Sequence, residues 1–359
     1  MNLFDVYPLY DVTPVSAKGL EITDDKKQTY LDFYGGHAVI SIGHSHPHYI
    51  NRIKTQLEKI GFYSNSVQNP LQKELADKLG ELSDCNQYKL FLCNSGAEAN
   101  ENALKLASFH TGKSRVIAFT NSFHGRTSAA VATTDNLTIN APINRQQRVS
   151  FIDFDDIGGF KKEIEKGDVC AVIIESIQGV GGLDQPSADF FKNIASLCKT
   201  HNVVLIADEV QSGFGRSGLF FAFQHYGIVP DLISIAKGMG NGFPVGGVLI
   251  HPKFEASYGL LGTTFGGNHL ACTASLAVLE VLEKEKLLEN SKNMGEYFKE
   301  KAKQIPQVNE IKGKGLMLGL KFDFEVSELR KRLIFNQHIF TGGAKDKKVL
   351  RVLPAPIMA

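Results

Sequence analysis

The sequence predicts an α/β protein with a mostly parallel central sheet and a smaller α+β part behind it. Three observations lead there. Short apolar runs recur between about residues 85 and 250, helical patterns alternate with them, and after Asn268 the pattern changes. The runs are Lys89–Cys93, Arg115–Phe119, Val169–Ile174, 203–207, Leu232–Ile235 and 247–250. They are apolar almost throughout rather than at every second position, as strands covered on both faces are. Helical patterns at 97–110, 160–166, 187–201 and 220–226 lie between several of them. Strand and helix in alternation imply crossover units and a parallel sheet.

Beyond Asn268, two long helical patterns, at His269–Lys284 and 287–304, lead to a glycine-flanked strand at 313–320. A helix near 326–336 and an extended piece at 349–353 follow. The first fifty residues are short, turn-rich pieces expected to pack with this C-terminal part. The expected organisation is therefore an N-terminal segment, 1–50, a large domain, 51–268, and a small domain, 269–359. No tandem repeat, low-complexity tract or flexible linker interrupts it.

A length of 359 residues suits about two domains, and 43% hydrophobic with 21% charged residues is ordinary for a globular chain. The net charge is +1, from 39 basic and 38 acidic residues, which is no footprint for nucleic acid or an anionic membrane. No run of 18 apolar residues exists, and Met1 to Tyr10 lacks a basic stretch followed by an apolar one. Cys85, Cys93, Cys170, Cys198 and Cys272 are scattered, odd in number and form no C-x-x-C pair. They read as reduced core thiols of a cytoplasmic protein.

The strongest motif is the strand Val203-Val-Leu-Ile-Ala-Asp208-Glu-Val-Gln211. It delivers Asp208 at a C-terminal strand edge, where open α/β sheets bind ligands. Asp208 is a helix cap or loop carboxylate, the metal-binding acid of a nucleotide hydrolase, or the partner of a protonated ring nitrogen. The hydrolase reading fails internally. Gly112-Lys113-Ser114 is the only G-K-S/T, Ala107 stands where the phosphate loop wants glycine, and the triplet follows a helix instead of opening one.

A second apolar strand, from Asp231, ends in Ala236-Lys237-Gly238. Desolvation disfavours the ammonium form of such a lysine, so its amine becomes a nucleophile able to condense with an aldehyde cofactor. A lone lysine there would simply reach for solvent; beside Asp208, after a neighbouring strand, it reads as functional. In Cys93-Asn-Ser95-Gly96-Ala97 a strand turns into a helix that Ser95 caps, with first-turn amides free for an anion such as phosphate. In Ser122-Phe123-His-Gly-Arg126 an aromatic can stack on a planar group and an arginine can clamp a carboxylate; a surface ion pair is the default for a lone arginine. Gly262-Thr263-Thr264-Phe-Gly-Gly-Asn268 offers hydroxyls and amides just before a long helix, or is simply a turn. The histidines of Gly43-His-Ser-His-Pro47-His48 read as a structural loop with Pro47 opening a helix, so no metal site is expected.

In this order the segments resemble the class III (subgroup II) aminotransferases, nearest to those acting on acetylornithine or succinylornithine. The resemblance runs from Tyr30-Leu-Asp-Phe to Arg351. It rests on Asp208-Glu-Val-Gln211, Ala236-Lys237-Gly238, Thr264-Phe-Gly-Gly-Asn268, Asn94-Ser-Gly-Ala-Glu-Ala-Asn100, Phe123-His-Gly-Arg126 and Gly313-Lys-Gly-Leu-Met-Leu-Gly319. It implies a pyridoxal-phosphate transferase of fold type I. Lys237 would hold the cofactor covalently and Asp208 would pair with its ring nitrogen. Gln211 would contact the ring oxygen, and Val210 and Phe123 would sandwich the ring. Ser95, Gly96 and Ala97 would bind the phosphate, with Thr264 reaching the neighbouring subunit's phosphate in an obligate homodimer. Arg126, Thr263, Arg351 and Glu175 would form the substrate side. The implied reaction is transfer of an amino group from an acylated ornithine to 2-oxoglutarate, a step of arginine biosynthesis.

Two departures stand out. Family members often read Glu-Pro-x-Gln-Gly-Glu-x-Gly where this chain reads Glu175-Ser176-Ile-Gln-Gly-Val180-Gly-Gly182. The acidic residue that can pair with the arginine matching Arg351 is thus Val180, and a free Arg351 would favour a more acidic substrate. Family members also usually continue with a helix after Arg351-Val-Leu-Pro, so either the small domain is trimmed or the chain is incomplete. Other ω-aminotransferase substrates (ornithine, 4-aminobutyrate, succinyldiaminopimelate), a same-fold aminomutase or decarboxylase, and a non-catalytic cofactor-binding module are the alternatives. Arg126 argues against the second, and the intact Lys237, Asp208 and Arg126 against the third.

Overall fold

The computed structural model describes residue 1 and residues 3–359. Strands β1 (Pro14–Lys18), β2 (Glu21–Asp24) and β3 (Thr29–Asp32) form an antiparallel meander. A single kinked turn, α1 (Gly35–Ala38), and the helices α2 (Pro47–Leu57) and α3 (Pro70–Ser83) follow. Pro47 and Pro70 each open a helix, where proline's missing N–H costs nothing. The alternating section comprises β4 (Lys89–Cys93), α4 (Gly96–Thr111), β5 (Arg115–Phe119), α5 (Ser128–Ala132), β6 (Val149–Ile152), α6 (Ile157–Ile164), β7 (Val169–Ile174), α7 (Ala188–Thr200), β8 (Val204–Asp208), β9 (Leu232–Ile235) and β10 (Gly246–Ile250). It ends in α8 (His269–Lys284), and α9 (Leu287–Ala302), β11 (Glu310–Lys314), β12 (Met317–Lys321), α10 (Ser327–Gln337), β13 (Ile339–Phe340), β14 (Gly342–Gly343) and β15 (Val349–Val352) complete the chain.

The central sheet has seven strands in the order β4-β10-β9-β8-β7-β5-β6. Its pairs are parallel except at β10, which runs antiparallel to both neighbours. The expected mostly parallel α/β sheet is therefore present. Strands β5, β7, β8 and β9 are buried at every position, as their unbroken apolar runs require. Six of the seven strands coincide with the predicted runs. The seventh, β6, is a four-residue edge strand of which only Ile152 is buried, too short to read as a buried run.

Two other expectations need correction. The single strand at 313–320 is a hairpin, β11 and β12, turning at Gly315 with φ 54°. The helix at 220–226 is a short 3-10 turn, Ala222–Tyr226. The first fifty residues hold three strands, and β3 pairs in parallel with β13, so N- and C-terminal chain share one sheet. Gly112 ends α4 in the left-handed conformation, as a C-cap and not as part of a phosphate loop. His44, His46 and His48 each pair with a different carboxylate, of Asp32, Glu285 and Glu280. All five cysteines are buried free thiols. No helix among the described residues is long and apolar enough to cross a membrane.

Candidate active site

Strands β4, β5, β7, β8 and β9 point the same way, so the loops after them gather along one sheet edge. Those loops carry Ser95–Ala97, Phe123–Arg126, Glu175–Val180, Asp208–Gln211 and Lys237. Together they line a cavity of about 240 Å3 with Gly96, Ala97, Phe123, Arg126, Glu175, Val180, Asp208, Val210, Gln211 and Lys237 on its wall. The crossover topology alone brings together residues up to about 140 positions apart, at the place where such sheets bind ligands.

Lys237 leaves β9 with φ 45°, a left-handed conformation that a long side chain rarely adopts. The surroundings hold it there. The Ser41 hydroxyl donates to Gly238 O at 2.7 Å, and the Asn241 side chain accepts from the amides of Ser41 and Ile42. Backbone strain of this kind persists only where neighbours over-determine it, and it clusters at working sites. Burial lowers the Lys237 ammonium below its ordinary range. The charges of Asp208 and Glu175 oppose this shift, and those of Arg351 and Arg216 add to it. The outcome is an amine more readily neutral than a surface lysine.

Asp208, 4% exposed, is gripped from three sides. Its Oδ2 accepts from His124 Nδ1 at 2.7 Å and Asn100 Nδ2 at 2.8 Å, and its Oδ1 from Val210 N at 3.0 Å. The carboxylate is therefore fixed in direction before any ligand arrives. Sequence reading missed both side-chain partners. His124 sat inside a motif valued for its neighbours, and Asn100 lies one turn along α4 from Gly96, the (i, i+4) relation that could have flagged it.

Behind Asp208, the Glu209 carboxylate accepts from the amides of Ala222 and Phe223, both at 2.8 Å, and from the hydroxyls of Ser212 and Ser176. Ser176 thus has a partner for its hydroxyl. Burial pushes the Glu209 carboxyl up to about 7 in spite of these donors. Glu175 accepts from Phe123 N and Gly179 N, both at 2.9 Å. Its carboxyl is also raised to about 7, by burial first, with His124 opposing and Asp208 adding.

The Ser95 side chain caps α4, accepting from Glu98 N at 3.2 Å. The first-turn amides of Gly96 and Ala97 have no intrahelical acceptor by geometry and face the cavity. A Cβ on Gly96 would lie 2.5 Å from a Val210 methyl, so only glycine lets the helix start approach this wall. Arg126 stands exposed at the rim. Gln211 donates through Nε2 to His37 O at 3.2 Å.

Ser95, Thr263, Thr264 and Arg351 lie off the cavity wall. The Thr263 hydroxyl accepts from Asn94 Nδ2 and Gly266 N, Thr264 is exposed, and Arg351 lies just behind the wall with Nη1 donating to Gly179 O. Three buried polar atoms on the wall lack a partner among the described residues: Asn100 Oδ1, His124 Nε2 and Gln211 Oε1.

Comparison with known proteins identifies the family. The family described as aminotransferase class-III matches residues 6–358. The acetylornithine aminotransferase of Bacillus subtilis is 41% identical over 334 residues, 91% of this chain and 86% of that protein. That of Archaeoglobus fulgidus is 38% identical over 359 residues, 99% of this chain and 94% of its own length. Among solved structures, the ornithine aminotransferase of Toxoplasma gondii, with partial occupancy of PLP at its active site, superposes with a TM-score of 0.90 at 28% identity, covering 98% of this chain and 87% of that one. The taurine:2-oxoglutarate aminotransferase of Bifidobacterium kashiwanohense, at 21% identity and a TM-score of 0.90 over 100% of this chain and 91% of its own, shares the fold. With the match continuous from residue 6 to residue 358 and the loops of one sheet edge gathered around Lys237 and Asp208, the chain belongs to the class III aminotransferases.

Proposed function

We propose that the chain is a pyridoxal-phosphate-dependent transaminase that moves the side-chain amine of N-acetylornithine to 2-oxoglutarate, giving N-acetylglutamate semialdehyde and glutamate. The observation that carries this reading is the pairing, on one cavity wall, of a strained and desolvated Lys237 with a pre-oriented Asp208. The printed names of the curated relatives supply the substrate.

The wall suits the cofactor. Gly96 and Ala97 offer anion-binding amides at a helix start, and Val210 and Phe123 supply apolar faces for a ring. Asp208 offers a fixed carboxylate for a protonated ring nitrogen, and Gln211 on the same wall, with one Nε2 hydrogen given to His37 O, keeps the other for a ring oxygen. When bound, the cofactor supplies an electrophilic carbonyl and an electron sink. Asp208 then holds a proton on the ring nitrogen, steadied by His124 and Asn100. Lys237 Nζ takes the proton from the carbon bearing the donor's amine, and its lowered pKa makes it more readily the base than a surface lysine. Arg126 at the rim takes the donor's α-carboxylate. The working unit is taken as a homodimer in which Thr264 reaches the other protomer's phosphate site; the exposed Phe62, Tyr63 and Phe265 near Thr264 support this.

The test is the donor half-reaction, without keto acid, followed by visible absorbance. N-acetylornithine, N-succinylornithine and ornithine are added separately to the purified holoprotein. Fast bleaching by one acylated donor is expected. A visible band that none of the three bleaches would remove the ornithine reading. No band after adding pyridoxal phosphate would remove the role of Lys237.

N-succinylornithine is the second reading, and one observation favours it. Val180 stands beside Arg351, whose hydrogen bonds go only to neutral oxygens. Arg351→Ala should raise KM for the succinylated donor at least tenfold more than for the acetylated one. Equal effects on both donors would count against it.

A further inference from the structure

Arg351 is 4% exposed, and no carboxylate lies within 4.0 Å of its guanidinium among the described residues. A buried cation without a counter-ion is costly unless something else orders it. Its Nε donates to Gly343 O at 2.5 Å, Nη1 to Gly179 O at 2.9 Å, and Nη2 to the Tyr34 hydroxyl at 3.2 Å. The guanidinium also lies over the Tyr34 ring, 5.6 Å from its centroid. The Tyr34 oxygen is in turn 2.5 Å from His37 Nδ1, and the two rings are tilted against each other at 4.7 Å.

Donor and acceptor roles follow from the chemistry. Arginine only donates, so the Tyr34 oxygen accepts from it, and we assign the phenol proton to His37 Nδ1. That requires His37 neutral with its proton on Nε2. Partial desolvation first, and then the charges of Arg351, Lys237 and Arg330, all cations, hold the imidazole below its ordinary range, although one side of His37 stays open to solvent.

The backbone is bent to make this contact. Gly35, Gly36, His37 and Ala38 run consecutively left-handed, with φ of 56°, 55°, 66° and 62°. For the two non-glycine residues this conformation is disfavoured by the crowding of Cβ against the following carbonyl. Asp32 Oδ1 steadies the entry by accepting from the amides of Tyr34 and Gly35, and Gln211 holds the His37 carbonyl. Gly342 makes room, since a Cβ there would lie 2.3 Å from the Tyr34 ring. A strained turn that aims one side chain at a buried, uncompensated cation beside the cavity points to function.

We propose that Tyr34 and His37 are positioning residues that hold Arg351, through a neutral hydrogen-bond chain, as an uncompensated cation for a substrate carboxylate. The inference rests on the reading of the cavity as an amino-acid and keto-acid site. An acidic partner would have to be displaced by every incoming carboxylate. The phenol–imidazole pair fixes the guanidinium's direction yet leaves its full charge, and a carboxylate is a better acceptor than a phenol.

The test uses the holoprotein and the variants His37→Phe, His37→Gln and Tyr34→Phe. The keto-acid half-reaction with 2-oxoglutarate is measured alongside calorimetric binding of glutarate, an unreactive dicarboxylate. His37→Phe and Tyr34→Phe should each raise KM for 2-oxoglutarate about tenfold, the effect of one hydrogen bond to a charged group. kcat should fall no more than twofold, and glutarate affinity should weaken in parallel. His37→Gln, whose amide oxygen can accept from Tyr34, should recover most of the loss. KM within twofold of the parent, KM and kcat worsening alike, or His37→Gln as impaired as His37→Phe would overturn the proposal. If His37→Phe fails to fold, Tyr34→Phe decides, since it keeps the ring under Arg351 and removes only the hydroxyl. Loss of the His37 effect in a protein that still transaminates defeats this inference alone. Absence of transamination with glutarate binding still dependent on His37 defeats the functional reading alone.

Discussion

Gly96→Ala sets two opposed effects against each other at one atom. Gly96 is the first residue of α4, and alanine in a helix is ordinarily favoured over glycine by roughly 0.5–1 kcal/mol. The added Cβ, however, would lie 2.5 Å from one Val210 methyl and 3.0 Å from the other. Ordinary carbon contacts sit near ~3.5–4.0 Å, so about 1 Å must be yielded by the helix start or by Val210. Overpacking of this kind costs about 1–3 kcal/mol, more than the helix gains. Both sides of the contact belong to the cavity wall: one carries the amides proposed to bind an anion, the other a methyl proposed to face the ring. The cost should therefore appear in cofactor affinity, as a rise in Kd for pyridoxal phosphate of about 5- to 100-fold. Titration of the cofactor-free protein by visible absorbance measures it. The double variant Gly96→Ala with Val210→Ala, which removes both offending methyls, should recover part of the loss. A single variant that binds the cofactor within twofold of the parent, with an unchanged melting temperature, would refute the reasoning.

Two stability predictions concern the supports of the site. Arg216 is buried and donates to five carbonyls, with short bonds to Pro354 O at 2.8 Å and Ile40 O at 2.9 Å and longer ones to Leu316, Leu353 and Ala38. Arg216→Met should destabilise by about 3 kcal/mol and lower Tm by about 4 °C by calorimetry, and should expose the C-terminal segment to limited proteolysis; an unchanged digestion pattern would contradict it. Glu209 has a folded-state pKa of about 7, raised above its ordinary 4.5. Its contribution to stability is thus complete below about pH 4.5 and is lost as pH rises through about 7. Melting temperatures of the parent and of Glu209→Gln, which cannot titrate, should change relative to each other between pH 5 and 8 in favour of the variant, and parallel profiles would rule the shift out.

The linear chain by itself determined the strands of the sheet core and the two residues on which the proposed chemistry turns. Runs such as Val169–Ile174 are apolar at every position because both faces of the sheet are covered, and that is a local property of composition. Asp208 and Lys237 were legible because each ends such a run, and parallel strand ends share one edge whatever the loops do. Ser95 was legible because capping acts over three residues. The edge strand Val149–Ile152 was not, since an edge strand keeps solvent on one side and loses the buried pattern.

Only the tertiary structure decided what surrounds those two residues. The hold of Asn100 on Asp208 spans 108 positions, that of Arg216 on Ile40 spans 176, and that of Arg351 on Tyr34 spans 317. Such bonds carry no periodicity and no motif. They exist because crossovers and a shared N- and C-terminal sheet carry distant backbone into hydrogen-bond range, and a side chain's choice among acceptors is made only there. The absence of an acidic residue at Val180 was visible in the chain, but the Tyr34–His37 pair that serves Arg351 in its place depends on a left-handed turn. Two of the four residues in that turn are not glycine, so local preference argues against it, and it persists because Asp32 and Gln211 bond the turn and Arg216 holds the carbonyls of Ala38 and Ile40 at its exit.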